Sequence, residues 1–267
     1  MKKVEENAVE IKKDNAVAVK SQVQHTGFED MSDDVSLILP IVKVMQSTSP
    51  ELDLEGVSFK KGDLVHSLLL EKVPAKFVPI KFFDSKVLLV PQKDDDKEAL
   101  RIKLNLTPEE INSTNILCQA KDGRTGTRYG SCADCEKFKW NNETGEKPMC
   151  TQSLNAMGVF VEEDGTPQDF PAVIRFANTS FKHGRKFYSM VKMSRRIYDR
   201  LYTLTSKKVE KNNNAWYEIV AVPAGKPTEE QLPFIIEMFD DFANASFELN
   251  EEVMDSESSD DDGVVEY

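Results

Sequence analysis

The chain has 267 residues, 34 Lys plus Arg against 46 Asp plus Glu, a formal net charge of -12 and 40% apolar residues. This composition excludes fibrous and collagen-like chains and leaves room for one large soluble domain or two small ones. No window approaches roughly 18 consecutive apolar residues, which excludes a membrane-spanning helix, and Glu5, Glu6, Glu10 and Asp14 interrupt the stretch a signal peptide needs, so the expected location is the cytoplasm.

In chain order, residues 1–30 are charged on all sides and read as a flexible arm. Leu37 to Met45 is a dense apolar run broken by Pro40, which predicts an extended segment or a broken helix in the core. LVHSLLLEK reads as a short strand or helical turn. AKFVPIKFFDSKVLLVP is rich in Phe, Val and Ile and predicts one or two strands, with Pro79 tolerated at an edge or a bulge. DDDKEALRIKLNLTPEE reads as a polar surface connection. NAMGVFVE, DFPAVIRFANTSF, GRKFYSMVKM and NAWYEIVAVP are four further β-like runs separated by turn residues. Ile197, Leu201 and Leu204 in SRRIYDRLYTLTSKK suggest one amphipathic helix between the last two. Short strands in series with one inserted helix predict a mainly β fold with minor α, an OB-fold-like antiparallel barrel over 31–226. A zinc-binding loop region would be inserted at 115–152, followed by an apolar and acidic connecting segment at 227–250 and a disordered acidic tail at 251–267.

All four cysteines fall within 33 residues, as Cys118, Cys132, Cys135 and Cys150. In a cytosolic chain such a cluster points to a metal more than to disulfides. Cys132 and Cys135, two residues apart on a turn, can both face one ion, and Cys118 and Cys150 would complete a closed four-thiolate, structural Zn²⁺ site. The loops between them are Gly-, Lys-, Asn- and Thr-rich, so an ion would order a region with little core of its own. Reduced buried cysteines or a redox pair are the alternative, and His66 or His183 could replace one ligand, although four cysteines already complete the sphere.

Charge is unevenly distributed. Pro227 to Tyr267 holds 14 acids and no Lys or Arg, whereas Pro171 to Lys211 holds 11 bases against Asp199 and Glu210. Binding single strands requires cations along phosphates and rings on which bases stack. Lys81 with Phe82, Lys139 with Trp140, Arg175, and then Phe181, Lys182, Arg185, Lys186, Tyr188, Lys192, Arg195 and Arg196 interleave the two. Read as a strand, RKFYSMVK puts Lys186, Tyr188, Met190 and Lys192 on one face, and NTSFKHGRK reads as a hairpin loop with Phe181 at its tip. Phe176 is expected in the core. In the tail, the polyanion could compete for the basic groove, and Asp260, Asp261, Asp262, Val264, Val265, Glu266 and Tyr267 read as a docking peptide for partner proteins.

A basic aromatic β-domain, a zinc-type cysteine cluster and an acidic C-terminus together resemble the single-stranded DNA-binding proteins of tailed bacteriophages, over roughly residues 60–267. LPIVKVMQSTSPEL followed by GVSFKKGD is also similar to the N-terminal block of a group of uncharacterised tailed-phage proteins. The resemblance implies an OB-fold, sequence-neutral coating of single-stranded DNA with self-association on it, and a tail that recruits replication and recombination proteins in the host cytoplasm. It implies no membrane partner. With no phosphate-binding Gly loop, HExxH or nucleophile elbow, a non-enzymatic role is expected. A zinc-ribbon transcription or regulatory factor, a phage structural or assembly protein, and a nuclease or other metal enzyme remain the other readings.

Overall fold

The computed structural model describes residues 37–211, 214–245 and 247–249. The expected N-terminal arm and acidic tail lie outside these residues. The centre of the structure is a strand of 14 residues, β4 (Lys76–Leu89), whose Phe, Val and Ile content favours a pleated surface buried on both sides. It pairs antiparallel along its length with β8 (Thr151–Val161), which forms a hairpin with β9 (Pro167–Ala177). Next to β9 runs β2 (Ile41–Val44) in parallel, followed by β3 (Leu64–His66) antiparallel to β2.

The other edge of β4 is shared. At its start Lys76 and Phe77 pair with β10 (Tyr202–Lys211), which forms a long hairpin with β11 (Asn214–Pro223). At its end Lys86 to Leu89 pair with β5 (Ile116–Ala120). The result is an eight-stranded mixed sheet in the order β11-β10-β4-β8-β9-β2-β3, with β5 also on β4. The expected mainly β character holds, but this sheet does not close into the antiparallel barrel anticipated from strand count. The two ends of the sheet approach each other, but the Gln46 side chain, bonded to the Tyr217 amide and carbonyl at 2.9 and 2.8 Å, stands where a closing ladder would run, and β2 pairs parallel with β9. Two small ladders lie apart from it: β1 (Leu37–Leu39) with β12 (Phe247–Leu249), and β6 (Thr125–Gly126) with β7 (Gly130–Ser131).

Pro79 lies where β4 bulges against β8, with the register shifting between Pro79 and Lys81. Proline cannot donate to a ladder, and a bulge is where a strand tolerates it. The extra residue reverses the side-chain alternation. Before the bulge, Phe77 joins the core on one face and Val78 the core on the other; after it, Phe82 packs on the first face and Phe83 on the second. Opposite the bulge is Gly158, where a Cβ would lie 2.1 Å from the Val78 carbonyl oxygen and 2.9 Å from the Pro79 Cα. Only glycine lets the strands approach this closely.

Each face carries one helix. On the first, α3 (Phe181–Lys192) inserts Phe187 and Val191 among Phe77, Phe160, Phe176, Tyr202 and Leu204. Phe187, fully buried, meets the Tyr202 ring at 4.8 Å and the Phe82 ring at 5.3 Å, edge to face. On the second, α4 (Leu232–Phe242) sets Ile235 against Val78, Val161 and Leu201, and Met238 against Ile80 and Val159. The segment expected to connect the domain to its tail therefore contributes to the core. No helix among the described residues is long and apolar enough to cross a membrane.

Three local readings differ from the structure. GRKFYSMVKM, expected as a strand after a hairpin loop, is α3. Gly184, Phe187 and Val191 recur at helical spacing on its buried side, and Gly184 is a contact point, since a Cβ there would meet Phe176 Cβ at 2.6 Å. SRRIYDRLYTLTSKK, expected as a helix, becomes turns leading into β10, whose Tyr202 and Leu204 alternate into the core. DDDKEALRIKLNLTPEE, expected as an irregular connection, forms α1 (Asp94–Leu104) and α2 (Pro108–Asn112). Three acids open α1, Arg101 and Lys103 close it, and Thr107 with Glu110 forms a reciprocal capping box at α2.

Gly158→Ala is expected to cost about 3 kcal/mol of stability, because the new methyl runs into the Val78 and Pro79 backbone of β4 and the Phe77 ring. Denaturant unfolding followed by circular dichroism measures it. A loss below about 1 kcal/mol, the cost of a strand residue change without overpacking, would show that the bulge tolerates a side chain.

Candidate nucleic-acid interface and cysteine cluster

Two regions contain the residues singled out by sequence. The first is the outer side of α3. Phe187 and Val191 face the sheet, so the 3.6-residue period turns Lys182, Arg185, Lys186, Ser189 and Lys192 outward. All five are exposed, and Arg195 and Arg196 in the turns that follow are exposed too. The helix carries no Asp or Glu, and among the described residues Arg185, Lys186, Arg195 and Arg196 form no ion pair. Tyr188 lies on the flank of this face, 39% exposed, with one side edge-on to Phe82 at 5.3 Å and Lys192 Nζ 5.4 Å from its centroid. Lys192 also donates to the Tyr188 hydroxyl at 3.3 Å. The result is a basic face with one presented ring, on a helix and not on the strand expected.

Glu218 on β11 ties down the start of this helix. Its carboxylate is 1% exposed and receives His183 Nε2 at 2.7 Å, Trp216 Nε1 at 3.1 Å and Lys182 Nζ at 3.3 Å. Burial pushes this carboxyl up, but the hydrogen bonds from Trp216 and His183 and the Lys182 charge outweigh that and leave it below the ordinary carboxylate range. Sequence reading missed Glu218, although the signal was present: an acid in the alternating run NAWYEIVAV, sharing a face with Trp216. His183 is thus a hydrogen-bond partner of Glu218, and His66 is a buried ring edge-on to Phe170 at 5.2 Å. Neither lines the cysteine region.

The remaining expected contacts divide. Arg175 is only 5% exposed, near the end of β9 with both neighbours in the core, so its expected place on a nucleic-acid surface is corrected to the interior. β9 is buried on both faces, and strand alternation there does not separate a wet side from a dry one. Phe176 is fully buried, as expected. Phe82 is half-buried, with its ring edges already engaged by Phe187 and Tyr188. Lys81 is half-buried beside the bulge, and burial lowers its ammonium's pKa. Phe181 is half-buried in the first turn of α3. Lys139 and Trp140 are exposed, Trp140 at 42%, but they belong to the cysteine region and not to the α3 face. The seven tail residues lie outside the described part.

The second region is built around the cysteines, all of which are free thiols. Cys118 is held by β5 at the end of β4. Cys132 follows the β6–β7 ladder, its amide donating to the Arg124 carbonyl at 2.7 Å. Cys135 precedes a single helical turn at Glu136–Phe138, and Cys150 stands at the entrance to β8, its amide donating to the Lys137 carbonyl at 3.1 Å. Four separate backbone segments thus bring four thiols to one small cavity of about 10 Å³, which Lys86, Tyr129 and Phe138 also line. Burial pushes the Cys150 thiol up to about 12, reinforced by the other three sulfurs and opposed by Lys86. Burial also raises the Cys132 thiol, opposed by Lys86 and reinforced by Cys118, Cys135 and Asp122.

The fold and these two regions describe a β-sheet protein with a polycationic helix face and a clustered-thiol loop region. The chain belongs to the Pam3 phage gp34-like protein family, whose model matches residues 5–252, and so is a phage-type protein. No curated protein and no solved structure matches it.

Glu218→Gln is expected to cost about 1–3 kcal/mol at neutral pH, because charge-assisted bonds to three donors are lost. A carboxyl whose folded-state pKa is depressed stabilises above its unfolded value, about 4.3, and loses that contribution as pH falls through the folded value. Thermal unfolding of both proteins from pH 7 to pH 3 should therefore show the difference between them shrinking with acid. A difference independent of pH would contradict the charged network.

Proposed function

We propose that this phage protein binds nucleic acid, preferentially single strands, through the outer face of α3 and the turns that follow, without catalysing a reaction. The observation that carries this is the uninterrupted cationic face of Lys182, Arg185, Lys186, Lys192, Arg195 and Arg196 with the exposed Tyr188 ring on its flank. Cations placed along one side follow a phosphate backbone, and a tyrosine ring with one side open offers a surface for a base. Phe82 behind Tyr188 fixes the ring, so little side-chain freedom is lost on stacking. Trp140 and Lys139 offer a second exposed ring and cation on another element.

A duplex reading has its own support, because the cations stand on a helix, and a helix fits the major groove. The two differ in what Tyr188 does. On single strands its ring contributes stacking, and on a duplex it contributes little. The acidic C-terminus enters the proposal as a competitor for the same cations, and as the segment that recruits replication and recombination proteins.

Fluorescence anisotropy with labelled poly(dT), duplex competitor and a salt series tests the proposal. Poly(dT) should bind in preference to duplex. Arg185→Ala and Lys186→Ala should each lower the slope of log affinity against log salt by about 0.7. Tyr188→Ala should cost about 1–3 kcal/mol, and ending the chain at Asn250 should tighten binding. Preference for duplex with no Tyr188 effect would favour the groove reading. No binding by either version at tens of micromolar would overturn both and leave a structural or assembly role.

A further inference from the structure

The convergence of Cys118, Cys132, Cys135 and Cys150 on one atom-sized cavity beside Lys86 points to a four-thiolate site for Zn²⁺ or a similar thiophilic divalent cation, with Lys86 as its neighbouring counter-cation. Three observations carry it. The cavity is lined by all four sulfurs and measures about 10 Å³, about the space of one small sphere. Gly126 leaves room directly beside the sulfurs, since a Cβ there would lie 2.7 Å from Cys118 Sγ and 4.0 Å from Cys132 Sγ. The loops from Lys121 to Pro148 contribute few core residues, Cys132 alone among them being a buried apolar side chain, so their fold needs another source of order.

Lys86 is held rigidly for this role. Its Nζ donates to the Gly123 carbonyl at 2.8 Å and stands 3.9 Å over the centre of the Phe138 ring. Four thiolates around a dication leave two net negative charges in a mostly enclosed place, and a fixed ammonium in the cavity wall offsets one of them. Binding is balanced without redox change: four S–H groups release four protons to solvent, and four sulfur–metal bonds form at about 2.3 Å. Among the described residues no group of three or more His, Cys, Asp or Glu side chains is placed to hold an ion as it stands, so binding draws the sulfurs inward onto the cavity. A four-sulfur sphere leaves no open position, which makes the site structural.

Titration of the reduced, full-length protein with Co²⁺ tests this. One equivalent should give the intense visible bands of tetrahedral cobalt and a thiolate-to-cobalt charge-transfer band, both displaced by one equivalent of Zn²⁺. Native mass spectrometry should show one zinc per chain. Lys86→Met should weaken Zn²⁺ about tenfold against a competing chelator, Lys86→Arg should recover much of that, and Gly126→Ala should weaken it as well. Absence of cobalt bands in the wild type, or only the pale spectrum of hydrated cobalt, overturns the site. Unchanged affinity in Lys86→Met overturns the role of Lys86. The wild-type titration needs no variant to fold and involves no nucleic acid, so its outcome is separate from that of the proposed function.

Discussion

The close antiparallel pairing of β4 with β8, bulged at Pro79 and opposed by Gly158, is the constraint from which the rest of this structure follows. A strand of 14 residues that stayed regular would present one set of side chains to each face throughout. The bulge exchanges the sets, so the α3 face is supplied by Phe77 before it and Phe82 after it, and the α4 face by Val78 and Ile80 before it and Phe83 after it. It also leaves the outer edge of β4 divided between two partners. The near end receives the β10–β11 hairpin that carries Glu218, and the far end receives β5 with Cys118. One strand thus positions both regions of chemical interest, at its two ends.

The α3 face is assembled in the same way, from a core outward. Phe187 and Val191 fix the roll of the helix by burial, and once they are inside, the remaining cations have no direction left but solvent. Glu218 fixes the helix start by drawing in Lys182 and His183. A buried carboxylate alone would be costly, and it is tolerated because three donors surround it. Lys182, Arg185, Lys186 and Lys192 therefore stand on a helix whose roll and start are fixed by the core and by Glu218.

Much of the β content was legible because apolar, β-branched and aromatic runs separated by turn residues carry period-two information directly, and Pro79 announced its bulge. The helix α3 was not legible as such. Its run GRKFYSMVK satisfies both a two-residue and a 3.6-residue period, and the tie was broken by tertiary contacts of Phe187 with Phe77, Phe82 and Tyr202 that no local window contains. Arg175 was misplaced because a strand buried on both faces can hold a charge in its interior, where alternation alone suggests a surface. The convergence of four cysteines was readable from their count and from the Cys132–Cys135 spacing. Lys86 and Gly126 beside them were not, since both reach the cavity through β-pairing and loop closure over distances that sequence spacing does not encode.

In a member of the Pam3 phage gp34-like family with a net charge of -12, a fixed polycationic helix face has functional meaning only if an anion meets it. Ultraviolet cross-linking of the full-length protein to oligo(dT), followed by peptide mass spectrometry, tests that most directly. The account predicts adducts concentrated on residues 181–196, with Tyr188 the principal site. Cross-links confined to other surfaces, or none under conditions where the oligonucleotide is bound, would contradict it.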